Sequence, residues 1–393
     1  MPVPAILDVV LVLLLLAFFV YGYRAGFVRS LSGIAGMAAG GIAAFFVVPL
    51  VGAWVPSPEW RTPATLAAAI ALVLTGLSIG ASVGHALRRQ VDRIKLRVVD
   101  RALGAGLTTV AAALTASMLA FSIGALGVPI LTTAIASSTV IRTIDAVTPT
   151  QVRGFIAELR SVAVAEGIPS IVEAFQGPTP EIPSLATDSP ELAAAARSVV
   201  RITGNAYSCG QNQSGSGFIV APERVVTNAH VVAGVAEPVV EAPGVGALPG
   251  RVVYFDPVDD LAVIAVDGLA TVPLERGSNL LAGSAAVSSG HPFGGPFDMG
   301  AAEVISVGPL VVADIYGDNP TPRQVYTLAS DVQEGESGGP LLSESGVLAG
   351  VIFAKSATTA NIGYALAMEE VEPVAVLAPS LENAVSSGAC TSE

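Results

Sequence analysis

Charge is scarce in this sequence. Only 13% of its 393 residues are Asp, Glu, Lys or Arg, against about 25% in an ordinary soluble domain. Lysine is nearly missing (Lys95 and Lys355 only), a compositional bias rather than a physical constraint. The charge that is present is unevenly placed. From Arg197 onward there are 7 basic against 21 acidic residues, whereas the first 196 residues hold 12 against 11. An acidic C-terminal half excludes nucleic acid as a partner, because a phosphate backbone demands a basic face. Cysteine is scarce too. Cys209 and Cys390 are the only two, both in that half. They read as unrelated buried thiols if it is cytosolic and as one disulfide if it is exported.

What replaces charge is long apolar runs. A bilayer crossing needs about 20 residues, and four stretches qualify: residues 9–23 extended by 4–7, a segment within 30–58, residues 62–84, and a run from 102 to about 127. A cleaved signal peptide is a poor alternative, since three further spans follow and no basic leader precedes the first. Basic residues collect in the first loop (Arg24, Arg29) and the third (Arg88, Arg89, Arg93, Lys95, Arg97, Arg101). Those loops are expected in the cytoplasm, with both termini outside. Gly36 and Gly40 on the second span, and Gly76, Gly80 and Gly84 on the third, predict a closely packed bundle. No span carries a charge at mid-membrane, so an anchor is expected rather than a transporter. The four-span pattern resembles the colicin V production (CvpA) membrane family.

Residues 130–176 read as amphipathic helices. The Pro-rich stretch 177–190 reads as a linker, and residues 191–200 as a short entry helix. Beyond Arg197 the pattern changes to short β-type runs between Gly, Pro and Asp turns, at 218–220, 225–227, 252–255, 261–266, 304–307, 325–328, 348–353 and 363–366. Many short strands over this length predict an all-β sandwich or barrel pair.

Three motifs sit at the ends of those runs: Thr227-Asn228-Ala229-His230-Val231 following Gly215-Ser216-Gly217-Phe218, then Asp259-Asp260-Leu261-Ala262-Val263, then Gly335-Glu336-Ser337-Gly338-Gly339-Pro340-Leu341. Their His, Asp, Ser order resembles the trypsin/chymotrypsin superfamily and its bacterial HtrA-like branch, whose motifs read GSGF, TNAHV, DLAV and GNSGGPL. The resemblance implies a chymotrypsin-like double β-barrel with His230, Asp260 and Ser337 as triad and the Gly335 and Ser337 amides as oxyanion hole. The chemistry suits the residue types: a hydroxyl attacks only when a base takes its proton, and a buried carboxylate fixes the base's tautomer. Asp259 competes with Asp260, which the family pattern favours because its acid directly precedes the Leu-Ala pair. Glu336 departs from the family at a position that supports the oxyanion turn. Asp331 lies six residues before Ser337, where trypsin-like enzymes place the acid selecting a basic P1, or it is a turn acid. Phe353, Ala354 and Lys355 are expected to form the edge that pairs with substrate backbone. His291 is read as a structural turn histidine, and His85 lies at the cytoplasmic end of the third span.

The whole layout resembles the MarP-like membrane-anchored periplasmic serine proteases of mycobacteria. That resemblance implies an endopeptidase of the cytoplasmic membrane, with its protease domain in the periplasm. Its partners would be cell-envelope proteins, the chain itself as a substrate and the lipid bilayer. It further implies a role in acid resistance, a Cys209–Cys390 disulfide, and no cofactor or metal. The expected domains are an anchor at 1–129, a helical segment and linker at 130–196 and a protease at 197–393. With only 56 residues after Ser337, no C-terminal PDZ module is expected. A catalytically silent sensor would need a broken triad, and a transporter would need polar residues inside the membrane.

Overall fold

The computed structural model describes residues 3–54, 58–93, 97–124, 131, 134–135, 137–149, 151–152, 155, 168–171, 175, 177–206 and 211–391. It divides into two compact units, Ala5–Ser117 and Met118–Glu393. The first is helical: α1 (Val3–Ala25), α2 (Phe27–Trp54), α3 (Pro58–Arg93) and α4, which starts at Arg97 and runs to Gly124. All four are long and apolar enough to cross a membrane, over Ile6–Ala25, Phe27–Val48, Pro63–Leu87 and Val98–Ala120. The large side chains of these helices face outward: Leu13, Leu16, Phe45, Leu74 and Ile79 are at least half exposed. Glycine faces hold the helices together instead. A Cβ on Gly36 would overlap the Gly76 carbonyl, and one on Gly80 would overlap the Ser32 carbonyl, so the backbones of α2 and α3 touch directly. The expected third loop is largely helix: Arg88, Arg89 and Arg93 continue α3, Arg97 and Arg101 open α4, and Lys95 lies outside the described residues. Buried Asp100 closes the other turn by accepting the Val28 amide at 3.1 Å, satisfying an orphan donor at the start of α2.

Little of the expected helical segment at 130–176 is described. Thr139–Val147 is a helix, capped by the Ser138 hydroxyl on the Ile141 amide at 3.2 Å. Ser170–Ile171 is a strand instead, β1. The entry helix is shorter than expected: Pro190 at its first position and the Ser189 cap start it, and it ends at Ala195. The β-branched pair Val199-Val200 then begins strand β2 (Val199–Ala206), where pairing with its neighbour buries both.

Two seven-stranded sheets build the rest. In the first, β2 is joined by β3 (Gln211–Ala221), β4 (Arg224–Thr227), β5 (Val239–Ala242), β6 (Gly246–Pro249), β7 (Arg251–Asp256) and β8 (Leu261–Ala265), in the order β6-β5-β2-β3-β4-β8-β7. In the second, β9 (Ala285–Gly290), β10 (Asp298–Val312), β11 (Thr321–Ala329), β12 (Pro340–Ser343), β13 (Leu348–Ser356) and β14 (Ile362–Ala367) form a ring that closes by pairing β13 with β14, and β1 adds to β13 as the seventh strand. Closure removes the free edges that an open sheet would expose. Each sheet has its own apolar core: Val200, Ile202, Ile219 and Ile264 in the first, and Val304, Tyr326, Leu328 and Ile352 in the second. A third cluster, with Phe218 and Leu261 from one sheet and Leu342 and Leu366 from the other, bonds the two together. Each such buried side chain contributes about 1.5–3 kcal/mol. The chain therefore folds as a transmembrane-type helical region and an all-β double-barrel domain.

Candidate active site

Three turns converge where the two sheets meet. Strand β4 delivers the first: it ends at Thr227, and Ala229–Val232 forms one helical turn carrying His230, which is 7% exposed. The second is the β7–β8 connection. Asp256 accepts the Val258 and Asp259 amides on Oδ1 at 2.9 and 3.1 Å, an Asx turn that fixes the loop. Asp260 then takes a φ of +54°, costly for a residue with a Cβ. That strain aims its carboxylate at the imidazole. His230 Nδ1 lies 2.8 Å from Asp260 Oδ2 and 3.0 Å from Oδ1, and the His230 amide also donates to Oδ1 at 3.0 Å. Asp259 stays half-buried beside Asp256, which raises its pKa further after burial has done so. It has no bond to His230.

The third turn, Gln333–Gly339, carries Ser337, 3% exposed. It is pinned from both sheets. The Glu334 carbonyl accepts the Phe293 amide, which directs the N–H of the same peptide, that of Gly335, to the opposite side. Ser216 on β3 reaches across from the other sheet: its amide donates to the Ser337 carbonyl at 2.8 Å and its hydroxyl to the Gly335 carbonyl at 2.7 Å. The same hydroxyl accepts the His291 amide at 2.8 Å. Gly335 has a φ of +86° and packs on the His291 carbonyl, and Gly338, at +81°, packs on Ser216 and Thr227, so neither admits a Cβ. The amides of Gly335 and Ser337 have no acceptor among the described residues. His230 Nε2 and Ser337 Oγ are both buried and likewise unbonded among them. The site thus holds a buried imidazole oriented by a carboxylate, a buried hydroxyl, and two unspent amide donors on one turn.

Comparison with known proteins places this geometry. The colicin V production protein family matches residues 7–149, and the trypsin-like peptidase domain family matches residues 215–351. Serine protease Rv3671c of Mycobacterium tuberculosis (strain ATCC 25618 / H37Rv) is 32% identical over 358 residues, spanning 89% of this chain and 90% of its own. This chain belongs to the Rv3671c family of serine proteases. The crystal structure of the Rv3671c protease in its active form matches 57% of this chain and 100% of its own, at 36% identity and a TM-score of 0.51. A DegP-like probable periplasmic serine endoprotease of Ectopseudomonas mendocina is 32% identical over 163 residues, 39% of this chain and 33% of its own. This Rv3671c-type chain is accordingly a serine endopeptidase and a multi-pass membrane protein.

The remaining sequence-predicted residues are spread around the turn. Asp331 is exposed, which favours its reading as a turn acid over that of a buried selector. Phe353 and Ala354 are buried, and Lys355 stands at the edge of β13. That edge already carries a strand of this protease: β1 pairs with it in parallel, the Lys355 amide donating to the Pro169 carbonyl and the Ala357 amide to the Ile171 carbonyl, each at 3.1 Å. His291 is partly buried, with Nδ1 3.0 Å from the Gly295 carbonyl, and burial, then Arg201, pull its pKa down to about 4. Cys209 lies outside the described residues. Cys390 sits against Gly234, whose Cβ would come within 2.7 Å of its Sγ, and among the described residues no cysteine is free. Among the described residues no three His, Cys, Asp or Glu side chains gather as a metal group.

Three residues carry the site without a local signal. Asn228 is fully buried and donates from Nδ2 to the Asp260 carbonyl at 2.8 Å, steadying the strained acid. Ser216 is the bridge described above. Arg323 on β11 is 2% exposed, lies 5.6 Å over the Phe353 ring, and donates to the Ala313 carbonyl at 2.7 Å. Burial lowers its pKa, while Asp260, Asp259, Glu370 and Asp256 pull it up. It is a buried cation among those acids. Asn228 and Ser216 were visible only as letters of motifs, and Arg323 as an isolated arginine in a strand.

Proposed function

We propose that this chain is a membrane-anchored extracytoplasmic serine endopeptidase using His230, Asp260 and Ser337. The observation that carries this is the strained Asp260 carboxylate holding His230 Nδ1 beside the Ser337 turn. His230 Nε2 takes the Ser337 proton as the hydroxyl attacks a peptide carbonyl, Asp260 stabilises the imidazolium, and the proton passes to the leaving amine. The amides of Gly335 and Ser337 receive the developing oxyanion, each worth roughly 3–4 kcal/mol in related sites. Water then releases the acyl group by the same route. The unbonded state of Nε2 and Oγ fits a free enzyme, in which such contacts tighten only on substrate. Ser337→Ala and His230→Ala should each abolish hydrolysis of a protein substrate by the detergent-solubilised chain. Retained hydrolysis in either would overturn the assignment.

The domains proposed are an anchor at 1–129, a connecting segment at 130–196 and the protease at 197–393. The basic loops support a cytoplasmic-membrane location with the protease in the periplasm, where cell-envelope proteins are the substrates. Cys209 and Cys390 then form a disulfide, in keeping with the lack of a free cysteine among the described residues. Phe353, Ala354 and Lys355 supply the substrate edge once β1, which pairs with it at Lys355, gives it up. The chain also trims itself between about 166 and 192, where a Pro-rich connection joins the two regions. A role in acid resistance is part of this reading, by its likeness to MarP-like proteases. Incubation of the wild type beside Ser337→Ala tests the trimming: identical band patterns would refute it.

A further inference from the structure

We infer that Glu336, held un-ionised, is the positioning residue that keeps the turn bearing Gly335 and Ser337 in the shape an oxyanion needs. The inference rests on the assignment of Ser337 as nucleophile. It adds a residue that touches neither substrate nor the reacting atoms.

Glu336 lies between the two residues whose amides face the oxyanion, yet its side chain turns inward and is 3% exposed. Its Oε2 accepts the Gln333 amide at 2.7 Å, and its own amide donates to the Gln333 carbonyl at 3.2 Å. The turn is therefore tied to one residue by side chain and backbone together. The Glu336 carbonyl accepts the Gly339 amide at 2.8 Å. From the other side Gly290 presses close: a Cβ there would come within 3.0 Å of Glu336 Cα. The carboxyl is wedged beneath the turn, and its bond to Gln333 sets the path of the chain into Gly335.

Among the described residues no opposing charge neutralises it. Asp331 and Glu334 stand on its own loop, and Asp298, at the start of β10, faces it from the second sheet. His291, in the adjoining turn, is partly buried, and its pKa is pulled down to about 4, so it brings no positive charge. Arg201, behind that turn, is engaged by Glu241 and donates to the Gly294 carbonyl. A carboxylate here would be desolvated beside acids with no cation to offset it, so the neutral acid is the form that fits. Burial first, then Asp298 and Asp331, outweigh the Gln333 hydrogen bond and push its pKa up to about 8. The sign follows for a raised carboxyl. The neutral form is complete below the ordinary glutamate value and is lost as pH rises through about 8. Above that pH the ionised side chain draws toward water and pulls the turn with it.

The test is the pH profile of the full chain in detergent, read both as kcat/KM for a peptide and as the rate of labelling by a fluorophosphonate. In the wild type both should fall about tenfold per pH unit above a midpoint near 8. Glu336→Gln, which keeps an acceptor for Gln333 but cannot ionise, should retain most activity at pH 6 and move that fall upward by about a unit or more. Glu336→Ala should lower kcat at least about tenfold with little change in KM. A wild type with no alkaline fall would overturn the inference, as would a Gln variant with the wild-type limb. A Gln variant that is folded but inactive at pH 6 would overturn it too, by showing that the charge is what matters. Should Gln fail to fold, the wild-type labelling profile alone decides. Absence of labelling at every pH would instead refute Ser337 as nucleophile.

Discussion

Ser216→Ala isolates the contact between the two sheets that holds the turn of Ser337. The hydroxyl is fully buried, donates to the Gly335 carbonyl at 2.7 Å and accepts the His291 amide at 2.8 Å. Removing it costs two neutral hydrogen bonds, about 1 kcal/mol each, and leaves a buried carbonyl and a buried amide unpaired. The cavity is one oxygen atom, too small to hold a water in their place. Together these give a loss of about 2–4 kcal/mol, which for a domain of this size lowers its Tm by roughly 5–15 °C. Calorimetry of the detergent-solubilised chain in a Ser337→Ala background, which prevents self-digestion, reads that loss. In the active background the relaxed Gly335 carbonyl should misalign the oxyanion amides, lowering kcat by about tenfold or more while KM changes little. A Tm shift under about 1 °C with unchanged kcat would refute the bridging role.

Asp260→Asn should cut kcat by about 10⁴ through the wrong imidazole tautomer, whereas Asp259→Asn should stay within about threefold of wild type; the reverse order in a peptide assay would reassign the acid. Arg323→Met removes the buried cation facing Asp260 and its acidic neighbours and the donor to the Ala313 carbonyl, so stability should fall by about 3–5 kcal/mol and the acid limb of the kcat/KM profile should move to higher pH; an unmoved limb would show that Arg323 only fills space. A Cys209–Cys390 bridge would close a loop of 181 positions, contributing up to about 5 kcal/mol. The C-terminal tail holds Gly234 and Val235 through Ser387, just past His230, so reduction should cost activity at raised temperature before it unfolds the domain. Two cysteines alkylated without prior reduction would remove the bridge altogether.

Much of this architecture was legible because its causes are local. The four spans follow from apolar length, and the glycines at four-residue spacing on α2 and α3 are the ones that meet. The eight strand segments read from alternation and turn residues fall within strands, except that 261–266 runs one residue past the end of β8. Asp260 was separable from Asp259 only through the resemblance to the HtrA-like branch, whose acid directly precedes the Leu-Ala pair, and the structure sets Asp260 against His230. What was not legible depends on partners distant in sequence. Nothing near Ser216 announces a bond to residue 335, and nothing near Arg323 announces four acids. The residues at 170–171 read as helix in isolation, and become strand because the β13 edge offers amide donors there. Glu336 stood out as a departure from a motif, but its protonation is a property of what surrounds it once folded.

The account stands most directly on Ser337 as an activated nucleophile. A fluorophosphonate should label the wild-type chain on Ser337, located by mass spectrometry of the labelled peptide, and should fail to label Ser337→Ala and His230→Ala. Labelling of another residue, or equal labelling of His230→Ala, would contradict it.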